Sequence, residues 1–486
     1  MPIIIPANSE GFVDPGNFQV TNSCRFDRED ADNMSRTPSS AGNRRTFTFS
    51  TWVKRTALDG NHTLFHGGPA NPTTTIRFKS EGSNGNNSIN IYHYSGSFTM
   101  TVLTSAQLRD PSAWYHIVVA FDTTQGTASN RVKVYINGVQ QTSFLTANYP
   151  AQNFDTSINN TTKQVVGAQS SNGDTLGAYL SETIMIDGQQ LAPTSFGEFN
   201  SDSGIWVPLD DLENLTFGTN GFYLDYKDSS NLGNDVSGNN NDLTETNIVA
   251  GNQTQDTCTN NFNVLNLNWF DDVSPSPFVY SGGLTTYRPD DNGNSYSRGT
   301  LGIFNKGKWY MEAKVSEVNT GQSSTVVIVP DSVFADPSSG YGFHVQFNGS
   351  NTEFKKIVGG TFTDVATSGF SSGVICMLAI DLNGGKMWVG HNGVWYNNNN
   401  ASTTFSPSNP DGTGISTAVD YLWGFQGYNQ NGGSGGYHNL VNLNFGNPVY
   451  SISSGNTDGN GFGNFEYAVP PGFLSVCTRN LAEALD

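Results

Sequence analysis

Charge, cysteine and long apolar runs are all scarce in this chain, and each shortage removes a class of protein. Charged residues make up 13% of the 486 positions, about half of the ~25% usual in a soluble domain. Basic residues are the scarcer sign, 23 Lys and Arg against 42 Asp and Glu, for a net charge of −19. Such a surface repels phosphate backbones and anionic lipid, and no basic cluster offsets it, so neither nucleic acid nor a membrane surface is an expected partner. No apolar run approaches the ~18 residues of a membrane span. The start, MPIIIPANSEG, has no basic region followed by an apolar stretch, so neither the usual secretion signal nor membrane insertion is expected. The four cysteines, Cys24, Cys258, Cys376 and Cys477, stand singly with no C-x-x-C pair. A disulfide framework would cluster them, so reduced thiols in a protein made in the cytoplasm are expected, with a long-range bridge such as Cys258 to Cys477 left open.

What the chain has instead is glycine, 54 residues, with 20 prolines and 12% aromatics. Abundant Gly, Asn, Ser and Thr punctuate the sequence with turns, while aromatic and β-branched residues fill the stretches between them. Segments such as Thr46 to Lys54 (TFTFSTWVK), Ile89 to Tyr94, Trp114 to Phe121, Lys308 to Val315 and Tyr421 to Gly427 carry strand signals. The one irregularity in TFTFSTWVK, near Ser50 and Thr51, suggests a bulge. Helical periodicity is absent over any useful length, apart from a turn near Pro193 to Phe199 and a short helix from Arg479. One phrase is used twice: VKVYINGVQ (Val132 to Gln140) is answered by KMWVGHNGVW (Lys386 to Trp395). Each Asn-Gly pair suits a type I′ hairpin turn, whose central residues need positive φ. Upstream of each lies an apolar strand closing on an aspartate, Trp114 to Asp122 and Val374 to Asp381. The pattern predicts an all-β chain of two tandem antiparallel β-sandwiches joined by a Gly/Asn-rich linker. Expected boundaries are an N-terminal arm over 1–22, a first sandwich over 23–200, a linker with short strands over 201–265, a second sandwich over 266–450 and a tail over 451–486.

These residues also carry resemblances. The first sandwich resembles the laminin-G/pentraxin type of concanavalin A-like fold, through Thr46 to Lys54, the Trp114-Tyr115-His116 strand ending at Asp122, the YINGV hairpin and LSETIMIDG (Leu180 to Gly188) leading to Leu191 and Phe196. The second resembles a SPRY domain, through GKWYME (Gly307 to Glu312), Val374 to Asp381 and Met387 to Val394. RTPSSAGNRRTFTFSTWVKR and YAVPPGFLSVCTRNL are similar to virion-associated proteins of tailed bacteriophages. That resemblance implies a virion location, other virion proteins as neighbours, and an appendage or tail-fibre role binding host-surface carbohydrate or protein. It also suits a homo-oligomer, for which a trimer would fit a fibre. Two alternatives remain: a decoration protein with a packing role, and a polysaccharide-degrading enzyme on the same fold.

Catalysis is not expected. GGSGG (Gly432 to Gly436) matches a nucleophile-elbow pattern but lies in a glycine loop. Glu182 and Asp187 are five apart, on opposite faces of a strand, and unsuited to paired acid and base work; the Asp pairs at 210/211, 271/272 and 290/291 read as loop residues. His62 and His66 share a strand face without a third ligand. Calcium is conceivable at Asp122, or at Asp225, Asp228 and Asp235 in an Asn/Gly-rich loop; turn capping is the alternative. Aromatics near turns, Tyr92, Tyr94, Trp395, Tyr396, Tyr428 and Tyr437, are candidates for stacking on a sugar. Trp52, Trp114, Trp309 and Trp388 alternate within strands and are expected in the core.

Overall fold

In the computed structural model, the described residues are 19–80, 87–267, 278–289, 293–317, 321–332, 340–348, 351–366, 371–429 and 439–484. They form two compact units that divide at Thr259/Asn260. In chain order the first unit contains β1 (Ser23–Phe26), β2 (Asn33–Arg36), β3 (Thr46–Arg55), β4 (His62–Gly67), β5 (Thr73–Phe78), β6 (Ile89–Tyr94), β7 (Phe98–Thr104), β8 (Trp114–Asp122), β9 (Val132–Ile136), β10 (Val139–Gln140) and β11 (Phe144–Asn148). It continues with β12 (Gln164–Val166), β13 (Ala178–Asp187), β14 (Gly197–Phe199), β15 (Trp206–Pro208), β16 (Phe222–Leu224), β17 (Thr244–Thr246) and β18 (Gln253–Thr254). One sheet runs β10-β9-β8-β3-β13-β1-β18, with β16 also on β13; the other runs β11-β7-β6-β5-β4-β12-β2-β17. Period-2 alternation drives Phe47, Phe49, Val119 and Phe121 of the first sheet against Ile76, Ile89, Ile91 and Val102 of the second. Each such large apolar side chain contributes about 1.5–3 kcal/mol by leaving water.

The expected linker over 201–265 is not a linker. Its strands complete the first sandwich: β16 pairs with β13, β17 with β2 and β18 with β1. The residues before them lie over the outer face of the first sheet, where Phe196, Leu212 and Phe217 bury Val118, Ile184 and Ile186. The bulge is also displaced from its expected place. It sits in β13, where Glu182 and Thr183 together oppose Thr51 between the pairs Ser181↔Trp52 and Ile184↔Ser50.

The second unit contains β19 (Phe278–Ser281), β20 (Thr286–Pro289), β21 (Gly293–Ile303), β22 (Lys308–Glu317), β23 (Gln322–Pro330), β24 (Tyr341–Asn348), β25 (Asn351–Val358), β26 (Thr361–Ala366), β27 (Val374–Asp381), β28 (Lys386–His391), β29 (Val394–Trp395), β30 (Gly412–Thr413), β31 (Tyr421–Asn429), β32 (Leu440–Asn444) and the helix α1 (Thr478–Glu483). Its sheets are β19-β20-β32-β22-β27-β28-β29, with β30 on β28, and β21-β31-β23-β24-β25-β26. Residues 451–484, expected as a tail, belong to this sandwich. Phe465 and Phe473 cover Tyr310, Met377 and Trp388 on the outer face of the sheet that carries the second hairpin, and isolated bridges join Trp309 to Leu474 and Phe262 to Cys477. Of the expected arm over 1–22, residues 1–18 lie outside the described residues. All four cysteines are free thiols.

The repeated phrase is a repeated structure. Asn137 and Gly138 have φ 47° and 77°, Asn392 and Gly393 φ 46° and 77°, as a type I′ turn requires. In each, the asparagine side-chain oxygen accepts a backbone N–H from the start of the preceding strand, that of His116 at 2.7 Å and that of Ile375 at 3.0 Å. An aromatic from the covering segment lies on each glycine: a Cβ on Gly138 would fall 2.3 Å from the Trp206 ring, and one on Gly393 3.0 Å from Tyr467.

Buried charge fixes the end of the first unit and the covering segment of the second. In the first unit Lys54 Nζ meets Asp256 at 2.7 Å with both side chains fully buried, and Trp114 Nε1 donates to the same carboxylate at 3.1 Å. In the second, buried Glu312 accepts the backbone N–H groups of Glu466 and Tyr467 at 3.0 and 2.8 Å and the Tyr310 hydroxyl at 2.9 Å. Removing one member of a buried pair strands the other charge, which costs ~3–5 kcal/mol, while replacing both by apolar groups is nearly neutral. Asp256→Ala should therefore destabilise the first sandwich by about 3–5 kcal/mol, and the double change Lys54→Met/Asp256→Leu should recover most of that. Denaturant unfolding of the full chain, followed by Trp fluorescence, measures both.

Candidate functional site

With one sheet of the first sandwich covered, the outer face of the other is where side chains reach the surface. On β6, Ile89 and Ile91 point into the core, so Tyr92 and Tyr94 share the outer face. Phe98 opens β7 opposite Tyr94, and its ring meets both tyrosines edge-on, at 5.6 Å from Tyr92 and 5.3 Å from Tyr94. Phe98 is 60% exposed and Tyr94 half-buried, whereas Tyr92 lies beneath them. Polar groups line the same strip. The Arg77 guanidinium on β5 stacks 4.6 Å from the Tyr92 ring and pairs with Asp174 at 2.5 Å. Gln169 donates to that carboxylate at 2.7 Å and to the Tyr92 hydroxyl at 3.2 Å. The strip thus combines an exposed apolar ring, a tyrosine edge and a bound guanidinium–carboxylate pair. Stacking and directed hydrogen bonding are both available there. In sequence Tyr92 and Tyr94 stand out as aromatics near a turn; Phe98, Arg77 and Asp174 carry no such signal, because turn and loop geometry brings them together.

The other aromatic candidates separate. Trp395 and Tyr396 are buried. Trp395 packs on Phe405 at 5.1 Å and Tyr310 at 6.2 Å, and Tyr396 on Phe354 at 5.7 Å. A place at a turn suggests presentation to solvent, but Phe405, Phe465 and Phe473 close over Trp395 and the sandwich interior takes Tyr396. Tyr428, half-buried, alternates with the core residues Trp423 and Phe425 on β31 and so lies on the outer face of the second sandwich's other sheet. Tyr437 lies outside the described residues, as do Gly432 to Gly436, Asp271, Asp272, Asp290 and Asp291.

The carboxylates proposed for calcium are occupied by donors. Asp122 accepts from Thr124 N and Oγ1, Gln125 and Thr46, which together hold its pKa below the usual range against the opposing effect of burial. Asp235 accepts the backbone N–H groups of Tyr223, Ser237 and Asn241 and the Ser237 hydroxyl. Asp228 caps the Ser230 turn, and Asp225 the Lys227 turn while pairing with its ammonium at 3.2 Å. N–H and O–H groups aimed at these oxygens oppose a cation; the carboxylates are turn caps. No cluster of three or more His, Cys, Asp or Glu suited to a metal occurs among the described residues. His62 and His66 bond backbone carbonyls, of Thr175 and Asp59 and of Gly68, and burial lowers both pKa values to about 4.

One buried pair has the composition of a nucleophile and its base. Ser50 Oγ lies 2.9 Å from His116 Nε2. The indole Nε1–H of Trp206 donates to Nδ1 at 2.9 Å, and an indole can only donate. Nδ1 therefore carries no proton, and burial, which lowers the His116 pKa to about 3, keeps the ring neutral. Its single proton sits on Nε2 and points at Ser50, so in this tautomer the imidazole cannot take the serine's proton. Glu182, in the β13 bulge at φ 47°, bonds Tyr223 on the outer face, while Asp187 accepts from Asn43 N, Asn159 and Asn220 N. The two form no carboxylate pair.

The first sandwich has the concanavalin A-like, laminin G fold. Residues 29–188 match the Laminin_G_3 model of the concanavalin A-like lectin/glucanases superfamily. Structural likenesses include domains LG4-5 of the mouse laminin alpha1 chain, 11% identical over 91% of this chain and 93% of that one, with TM-score 0.27. A heptameric SAP-like pentraxin from Limulus polyphemus is 15% identical over 36% and 80%, at 0.27. The SPRY domain of human HERC1 is 14% identical over 33% and 87%, at 0.22. No relative was found among curated protein sequences.

Buried titrating groups of the first sandwich set an opposed pH response. His62, His66 and His116, lowered by burial, stabilise fully above the ordinary pKa of 6.5 and lose that contribution as pH falls toward 4. Asp32 and Glu182, raised by burial to about 7, contribute fully below the ordinary carboxylate pKa and lose it as pH rises to 7. Glu182→Gln removes one of the latter. Relative to the unsubstituted chain, its melting temperature should be highest at pH 7.5 and drop toward pH 5; a difference constant across that range would contradict the assignment.

Proposed function

We propose that this chain is a non-enzymatic recognition protein of a bacteriophage virion, an appendage or tail-fibre component whose first sandwich binds host-surface glycan. The observation that carries the reading is the strip of Tyr94 and Phe98 beside the Arg77–Asp174 pair. Sugars present apolar C–H faces to aromatic rings and hydroxyls to fixed charged or amide groups, and the strip offers both within one sheet face. The match of residues 29–188 to a lectin-containing superfamily supports the class of ligand. The resemblance of RTPSSAGNRRTFTFSTWVKR and YAVPPGFLSVCTRNL to virion-associated proteins supports the setting. Recognition in this reading needs no calcium, because the ligand meets rings, a guanidinium and amides. Each contact is weak, and copies on one particle multiply it.

The test is binding of the purified chain to host cells and to a glycan array, with calcium and with chelator. Tyr94→Ala combined with Phe98→Ala should weaken binding about tenfold or more, a loss of ~1.4 kcal/mol, while chelator and Tyr428→Ala leave it unchanged. Loss on Tyr428→Ala alone would move recognition to the second sandwich. Absence of cell and glycan binding, together with tight association with other virion proteins, would favour the decoration role.

A further inference from the structure

The two sheets of the first sandwich end on the same stretch of chain. β10 is the last strand of one and β11 of the other, with three residues between them, and the outer edge of each has no partner strand among the described residues. Unpaired edges are templates for further pairing, and folded proteins blunt them with charge, proline, very short strands or bulges; here β10 is two residues long and β11 opens on a bulge. This edge carries no charge: from Val134 through Phe154 there is no Lys, Arg, Asp or Glu, in a chain of net charge −19. The opposite edge of the same sheet, β17, carries Glu245.

The uncharged edge also gathers exposed apolar groups. Val139 on β10 is 55% exposed and Leu145 on β11 53%. Next to them, through Trp206 on the Gly138 turn, the β14–β15 hairpin shows Phe199 at 54% and Ile205 at 49%. A bulge at the start of β11 leaves Thr146 to Asn148 in regular register with β7, so that strand can pair on its other side.

We propose that this edge is a self-association surface, on which β11 pairs antiparallel with β11 of a second copy across a two-fold axis. The occupant is a second copy because of charge. Two chains of −19 repel one another over most of their surfaces, and contact is least opposed where neither presents a charge. A strand meeting its own copy antiparallel is self-complementary, the arrangement a two-fold dimer requires. Val139 adds apolar area beside the paired edges, while the β14–β15 hairpin, which carries the exposed carboxylates of Glu198 and Asp202 beside Phe199 and Ile205, lies outside the uncharged contact. This inference is independent of the glycan reading, since Tyr94 and Phe98 are not among the residues it uses.

Sedimentation velocity of the full chain across a concentration series tests it. The expected result is a monomer–dimer equilibrium below roughly 100 µM. It should tighten as ionic strength rises from about 0.01 to about 0.15 M, which shortens the screening length from ~30 to ~8 Å and quiets the repulsion. Leu145→Glu with Val139→Glu should weaken the dimer at least tenfold, with near-ultraviolet circular dichroism unchanged because both side chains are exposed. Val249→Glu, on an exposed apolar residue outside this edge, should leave it intact. A monomer throughout, a trimer, or a dimer indifferent to the edge glutamates would overturn the proposal.

Discussion

A β-sheet has two faces, and in each sandwich only one is satisfied by the partner sheet; the other face of the hairpin-bearing sheet is apolar and must be covered. That constraint organises both units. In the first, Val118, Ile184 and Ile186 face outward and are sealed by Phe196, Leu212 and Phe217. In the second, Met377, Ala379 and Trp388 are sealed by Phe465 and Phe473. The covering segment reaches back in each case to the Asn-Gly turn, where the missing Cβ leaves room for Trp206 or Tyr467. A type I′ turn selects the Asn-Gly pair for its backbone angles, and the covering layer uses the glycine a second time as a seat.

Polar groups lock this arrangement. An ion pair such as Lys54–Asp256 is a weak source of net stability but strongly disfavours any arrangement that separates it. The pair specifies where the 250s segment must end. Glu312 does the same for the chain around Glu466 and Tyr467. The Ser50–His116–Trp206 chain is a third such device: its proton order suits a structural hydrogen bond and leaves the serine without a base.

Local pattern explains what the sequence made legible. The β-strands, the two hairpins, the all-β class and the likeness of the hairpin units rest on period-2 alternation and turn chemistry within a few residues. The covering segments look like linker and tail in sequence because their apolar residues are isolated among Gly, Asn and Ser. The buried charges that fix this late chain are paired across long distances in sequence, Asp256 some 202 positions from Lys54 and Tyr467 some 155 from Glu312. The same long-range contacts buried Trp395, which turn position alone would expose. At the candidate site, Tyr92 and Tyr94 were readable as aromatics near a turn. Arg77 and Asp174 were not, since 97 residues separate them.

With the hairpin sheet of the first sandwich closed over, the glycan-binding role proposed for this chain rests on the outer face of the other sheet. Hydrogen–deuterium exchange of the intact chain with and without a bound host-surface glycan tests this most directly. The expected result is ligand-dependent protection concentrated in β5 to β7 and in the 169–174 loop, with the covering segment at 196–217 unchanged. Protection confined to the second sandwich, or to the covering segment, would contradict it.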